Sequence, residues 1–407
     1  MTPSNLTFSD FFAKGHFEAQ PETLAIQQRQ GKLVIGVPKE CTLIENRVSI
    51  VPNSVRSLVG YGINVLVESG AGVNSNFTDL DYTEAGAEVS QSKEEVFKSN
   101  IIVKVAPPTL EEVKLMSVDQ IVLSSLHIPL ITSEYVKLLM DKKITSFAME
   151  YLQDETGSFP IVRAMSEIAG MSIIFSAGEL LKNDKGGRGT LLGGVAGVPP
   201  AKIVVLGAGV VSEFAIRTAL GFGASIRVFD NDITKLARLQ TAVGRQLHTS
   251  SINPVYLAYQ LTSADVVIGA MHSKHGRSPV IVTEEMVSKM KEGSVIIDVS
   301  IDQGGCFETS QITTIDKPTF VTHGVVHYCV PNIPSLVSRT SSMAVSNIIT
   351  PLLVKICEYY NVNKLLYDSQ GIRNGCYTYK GHLTNEYLAK RFELKYSNLD
   401  LLLPSGL

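Results

Sequence analysis

The sequence predicts an α/β protein built on parallel sheets and divided into two domains. Three observations lead there. From Leu33 onward, short apolar runs alternate with longer amphipathic segments, the pattern of strands and the helices that cover them. The alternation comes in two series, with a break near Pro160. The second series contains a strand, a glycine turn and a helix in immediate succession, KIVVL followed by Gly207-Ala-Gly209-Val-Val-Ser212. The 407 residues suffice for two domains, and 44% hydrophobic with 18% charged residues suits a packed core and excludes a disordered chain.

In the first series, LVIGVP at Leu33 reads as a strand and PNSVRSLVGYG at Pro52 as a helix. INVLVES at Ile63 is the next strand, followed by a turn at Gly70 to Gly72 and a helix near Asp81 to Ala85. IIVKV, QIVLSSL and ITSFAME supply further strands, separated by segments rich in Lys, Glu and Leu. In the second series, MSEIAGMSIIFSAGELL at Met165 reads as a long helix. GGRGTLLGGVAGVPP at Gly186 is a surface loop. AKIVVLGAGVVSEFAIRTALGFG is strand, tight turn and helix, and ASIRVFD, ADVVIGA, GSVIIDVS and PTFVTHGVV each add one strand. This is the order of a dinucleotide-binding Rossmann domain. After Val337 the chain turns helical, and TSSMAVSNIITPLLVKICEYY is placed to return to the first domain. The expected layout is an NAD-binding Rossmann domain at 161–337 inserted into a split α/β substrate domain at 33–160 and 338–407. Residues 1–32 form an N-terminal extension, read either as a docked amphipathic arm or as a tail.

Charge and cysteine usage narrow the function classes. The net charge is −3 with both signs mixed throughout, so neither nucleic acid nor anionic lipid is expected as a partner. Cys41, Cys306, Cys329, Cys357 and Cys376 are scattered without a C-x-x-C pair. Free thiols in a reducing compartment are expected, with no disulfide framework and no metal site. No apolar run approaches the roughly 18 residues of a membrane span, and the N-terminus lacks the apolar core of a secretory signal. A cytoplasmic protein follows from these readings.

The glycine turn is the strongest local signal. Gly207 permits the tight turn, and Gly209 lets a pyrophosphate approach the backbone at a helix N-terminus. Ser212 replaces the third glycine with another small residue. Asp230 ends the next strand, at the spacing where an acid accepts from ribose hydroxyls and repels a 2′-phosphate, so NAD is favoured over NADP. Three other residues sit at chemically useful places. Arg47, in Glu45-Asn46-Arg47 after the first strand, suits capture of a carboxylate or is a solvated arginine. His127 follows QIVLSSL at a strand end and is either a proton-exchanging group or a structural histidine. Asp302, ahead of Gly304-Gly305, serves as a cap or as a catalytic acid.

Their joint occurrence, with long stretches in order, resembles the alanine dehydrogenase family, which also includes the NAD-binding subunit of proton-translocating transhydrogenase. The resemblance runs from about Leu33 to about Leu388. It is carried by GVPKE, ENRVSIVP, VESGAGVNSNFTDLDYTEAGAEV, AMSEIAG, GGRGTLLGGVAGVPPAKIVVLGAGVV, DVSIDQGGCFETS and GVVHYCVPNIPSLVSRTSS. It implies that Arg47 holds the substrate carboxylate and that His127 hydrogen-bonds or protonates the 2-oxo group. It implies that Asp302 orients water or ammonia. Ser166, Val210, Val211, Asp230, Lys235, Met271, His272, Ile301 and Asn332 would line the NAD site. A small amino acid, its 2-oxo acid and ammonia are the implied reactants, and a hexamer the implied assembly. In the transhydrogenase branch the position of Asp302 is not an aspartate, which tilts the resemblance toward a dehydrogenase. Two departures stand out. The family's Lys-Val-Lys-Glu-Pro reads Lys104-Val-Ala106-Pro107-Pro108 here, so its substrate-binding second lysine is absent. Gln311 stands where many members place an arginine near the cofactor. A dehydrogenase for another amino acid and a catalytically weak NAD-binding regulatory protein are the rival readings.

Overall fold

In the computed structural model, residues 33–403 are described apart from 43, 129–130, 274–276 and 360–361. The N-terminal extension lies outside the described residues. Six strands of the first series run parallel: β1 (Val34–Val37), β2 (Asn64–Glu68), β3 (Glu88–Ser90), β4 (Ile101–Val103), β5 (Ile121–Ser124) and β6 (Thr145–Ala148). Their spatial order is β3-β2-β1-β4-β5-β6. Ile35 of β1 pairs with Val65 on one side and Ile101 on the other. The second series gives β7 (Lys202–Leu206), β8 (Ser225–Phe229), β9 (His248–Ser250), β10 (Val266–Gly269), β11 (Val295–Asp298), β12 (Thr319–Thr322) and β13 (Val325–Tyr328). Here the order is β9-β8-β7-β10-β11-β13, with β12 antiparallel at the edge.

Both sheets thus share one doubly wound order, reversing direction between β1 and β4 and between β7 and β10. Ligands of such sheets bind outside the carboxyl ends of the strands at the reversal. The central strands are apolar on both faces because helices cover both. In the first sheet, Ile35, Ile101 and Val103 pack with Val55 and Leu58 of the Pro52–Gly60 helix and with Val345, Ile349 and Leu353 of the Ser338–Tyr359 helix. Ile102 and Val122 face Val113, Val136 and Leu139 on the other side. In the second sheet, Ile203, Val205 and Ile268 pack with Ile173, Ile174 and Ala177 of the Pro160–Leu180 helix and with Ala215 and Ile216 of the Val210–Gly221 helix. These two helices touch at Gly170, where an added Cβ would lie 2.4 Å from the Val211 carbonyl.

The expected elements form, with five differences. PTFVTHGVV is a hairpin of two strands, because His323 and Gly324 both take positive φ, 52° and 72°, and turn the chain back in two residues. Beyond Val337 the chain is not only helical: β14 (Cys376–Tyr379) pairs antiparallel with β6, and β15 (His382–Leu383) pairs with β14 across a second such turn at Lys380-Gly381. The short edge strands β3 and β9 are two further differences. Finally, two helices do reach membrane-spanning length and hydropathy, contrary to the sequence reading, in the stretches Pro160–Leu180 and Ile333–Tyr359. Their apolar character has another use here, since both press residues into the cores just described.

Candidate active site

The second sheet's reversal is built on Gly207. Its φ of 102° and the Ala270 carbonyl 2.4 Å from any Cβ exclude every other residue. Gly209 is the N-cap of the Val210–Gly221 helix, and a Cβ there would meet nothing within 4 Å. Open space over a helix N-terminus fits an anionic pyrophosphate. Asp230, 7% exposed, lies just past β8. Its Oδ2 accepts from the Ala208 N–H at 2.7 Å and its Oδ1 from the Asp232 N–H at 2.8 Å. A carboxylate has about four acceptor positions, so capacity remains for ribose hydroxyls. Met271 follows β10 and donates its N–H to Ser300 Oγ at 2.9 Å. That contact joins it to the turn Val299–Gln303, which holds buried Ile301 and the more exposed Asp302. Partial burial, and then the charge of Lys235, lower the pKa of His272, so these two cofactor candidates share one neighbourhood. Val210 and Val211 open the helix, half-buried, and Ser166 is half-buried on the Pro160–Leu180 helix.

The first sheet's reversal carries Arg47. Its side chain is 11% exposed, and the guanidinium is gripped twice by Glu45, Nε to Oε1 at 2.7 Å and Nη2 to Oε2 at 2.6 Å. Nη2 also donates to Asn332 Oδ1 at 3.0 Å, and Nη1 lies 3.1 Å from Met165 Sδ. Asn332 is in the left-handed region, φ 54°, and donates its N–H to Asp302 Oδ1 at 3.3 Å. Its Nδ2 donates to the Ile44 carbonyl and to Glu45 Oε2. One asparagine therefore links Arg47 to Asp302. The Asp302 carboxyl is raised above the usual carboxylate range by the protein that surrounds it, although Asn332 N–H, His127 and Arg47 each pull it down. His127 is close enough for its charge to act there, but among the described residues no hydrogen bond joins its ring to Arg47 or Asp302.

His127 itself has φ 45°, an unusual state for a residue with a side chain. Glu150 holds it there. This carboxylate, at the end of β6, accepts the N–H groups of Leu126 at 2.9 Å and His127 at 3.1 Å. Burial raises the Glu150 carboxyl against those amides. Sequence reasoning assigned no role to Glu45 or Glu150. Glu45 stood inside the quoted Arg47 motif, and Glu150 directly follows the apolar run of β6.

Lys104 does not stand in for the lysine missing at Ala106. It is wholly buried, with Nζ 2.9 Å from Glu112 and 3.5 Å from Glu40. Burial would lower its pKa, yet Glu40 and Glu112 together raise it. Ala106 is half-buried two residues on, and Gln311 is exposed.

The chain is similar to known proteins over most of its length. Residues 36–169 match the family model described as alanine dehydrogenase/PNT, N-terminal domain, and residues 173–386 match the alanine dehydrogenase/PNT, C-terminal domain. Alanine dehydrogenase 2 of Staphylococcus aureus (strain USA300) is 38% identical over 367 residues, covering 90% of this chain and 98% of the relative. A solved structure of an L-alanine dehydrogenase superposes with a TM-score of 0.84 at 36% identity, over 89% of this chain and 99% of that one. The crystal structure of a transhydrogenase from Sinorhizobium meliloti shares the fold, with a TM-score of 0.73 at 24% identity over 87% and 99% of the two chains.

Proposed function

The chain belongs to the alanine dehydrogenase family, and from that premise we propose that it interconverts L-alanine with pyruvate and ammonia, using NAD. When bound, NAD accepts the hydride from the substrate Cα. The protein's own residues do the rest. Arg47, aligned by Glu45, holds the carboxylate. His127 exchanges a proton with the oxygen of the 2-oxo group. Asp302 orients the water that attacks the imine carbon, or the ammonia in the reverse direction. Gly207, Gly209, Val210 and Val211 receive the pyrophosphate, and Asp230 the ribose. Ser166, Lys235, Met271, His272, Ile301 and Asn332 complete the cofactor site.

The single observation that carries this reading is the hydrogen-bonded path from Arg47 through Asn332 to Asp302, with the charge of His127 beside it. It supports reading Arg47 as the carboxylate-binding group and Asp302 and His127 as groups for proton exchange. The test is steady-state NADH formation across a panel of amino acids. L-Alanine should dominate, and a panel with no active amino acid would refute the reading.

Ala106 favours a second reading, a dehydrogenase for a different amino acid. A carboxylate held by Arg47 alone lacks one charge-assisted contact, worth about 1.5–3 kcal/mol. If alanine is the substrate, Ala106→Lys should lower its KM. If a bulkier or differently charged side chain fills that space, the same change should abolish the native activity. We also propose the domain limits 161–337 for cofactor and 33–160 with 338–407 for substrate, a cytoplasmic location, and a homo-oligomer, expected as a hexamer. Exposed Phe175 and Phe222, packed edge to face, support an assembly surface. Sedimentation at working concentration tests the assembly.

A further inference from the structure

The segment that carries Arg47 belongs to no helix or strand from Glu45 to Val48. Its buried amides have no ladder partners, and buried amides need partners. The Glu45 N–H donates to the Thr42 carbonyl and the Arg47 N–H to Glu45 Oε1, and the others find serines at the far end of the chain. The Asn46 N–H donates to Ser335 Oγ at 2.8 Å, the Val48 N–H to Ser342 Oγ at 2.9 Å, and the Val51 N–H to Ser346 Oγ at 3.0 Å. Ser342 and Ser346 stand one turn apart on the Ser338–Tyr359 helix. All three serines are 1% exposed or less.

Around Arg47 the arrangement closes on itself. Ser75 Oγ lies 2.9 Å from Ser342 Oγ and 2.8 Å from the Asn46 carbonyl. Each hydroxyl has one proton to give. Ser75 gives its proton to the Asn46 carbonyl, which can only accept. The contact between the two serines must then carry the proton of Ser342. The result is one directed chain: Val48 N–H to Ser342, Ser342 to Ser75, Ser75 to Asn46 C=O. It begins and ends on the two peptide groups that flank Arg47. Both peptide planes are fixed, and with them the direction in which the guanidinium leaves the backbone.

We propose that Ser342 and Ser75 are positioning residues for the substrate, acting through Arg47. The proposal rests on the reading of Arg47 as the carboxylate-holding group. A binding group misplaced by on the order of 1 Å can cost about a hundredfold, so a clasp on both sides of one residue is a means of setting KM.

The test compares Ser342→Ala, Ser75→Ala, Ser342→Thr, Ser346→Ala and Arg47→Lys. The readouts are KM for L-alanine and pyruvate, kcat, NAD affinity by fluorescence and Tm. Ser342→Ala and Ser75→Ala should each raise both KM values by about tenfold or more, with NAD affinity unchanged. Ser342→Thr keeps the hydroxyl and should restore the wild-type KM. Ser346→Ala removes an equally buried hydroxyl and should lower Tm while leaving KM within about twofold. In an Arg47→Lys background, Ser342→Ala should add little, since coupled residues are not additive. Ser75→Ala keeps the test open if Ser342→Ala fails to fold. An unchanged KM in the serine variants overturns the proposal. So does an equal rise in Ser346→Ala, or a full Ser342→Ala effect in the Arg47→Lys background. If Arg47→Lys alone keeps the wild-type KM, the reading of Arg47 falls and the proposal with it, an outcome that this one variant separates from the others.

Discussion

At the scale of single residues, the proposed role of Asp230 is to select the cofactor. Its two backbone hydrogen bonds fix a carboxylate beside the glycine turn, where a 2′-phosphate would meet its charge. NAD should exceed NADP by at least about tenfold in kcat/KM, a difference of ~1.4 kcal/mol. Equal values for the two cofactors would contradict it. His127→Ala and Asp302→Asn should each lower kcat by roughly a hundredfold, the scale of a lost acid–base group. Near-normal turnover in either variant would remove that residue from the chemistry. Gly207 and Asp230 could be read from the sequence because their signals are local: a φ open only to glycine, and a short spacing within one strand–helix–strand unit. The partners that orient the site could not. Val48 and Ser342 are separated by 294 residues, and His127 and Glu150 by 23. No periodicity ties such pairs together before the chain is folded.

At the scale of elements, the parallel strands were readable because burial on both faces leaves nearly continuous apolar runs such as IIV and VIID. The hairpins were not, since a two-residue turn at His323-Gly324 interrupts a run without adding a recognisable loop. The end of β4 holds the most consequential detail that pattern reading passes over. Glu40 is buried there, beside Lys104 and the Val105 N–H. Burial pushes its carboxyl from 4.5 up to about 7, against the pull of Lys104. Between those values the folded chain keeps a proton that the unfolded chain has lost. The resulting stability is fully present below about pH 4.5 and is lost as pH rises through about 7. Tm should therefore fall between about pH 4.5 and 7, and Glu40→Gln should flatten that decline by about 1–3 kcal/mol. Melting curves at a series of pH values check this, and identical slopes in the two proteins would show that Glu40 does not contribute.

At the scale of the whole molecule, the two series and the glycine turn were enough to foresee two α/β sheets, and the helix after Val337 foretold a return to the first. What stayed hidden was that the return also completes a sheet, because CYTY is short and follows a helical stretch. This has a consequence for how the chain is made. On the ribosome, β7 to β13 emerge as one uninterrupted block, so the second sheet can close as soon as it is synthesised. The first cannot. Strand β6 must wait roughly 230 residues for β14, about 10–45 s at ordinary elongation rates. Until then it presents an open, apolar edge of the kind that recruits other chains. A chain ending at Arg373 should thus resist limited proteolysis across β7 to β13 yet be cut around β5 and β6, and should precipitate where the full chain stays dissolved. Equal protection of both sheets would show that the waiting edge is harmless. The younger half of this protein, in order of birth, is finished before the older one.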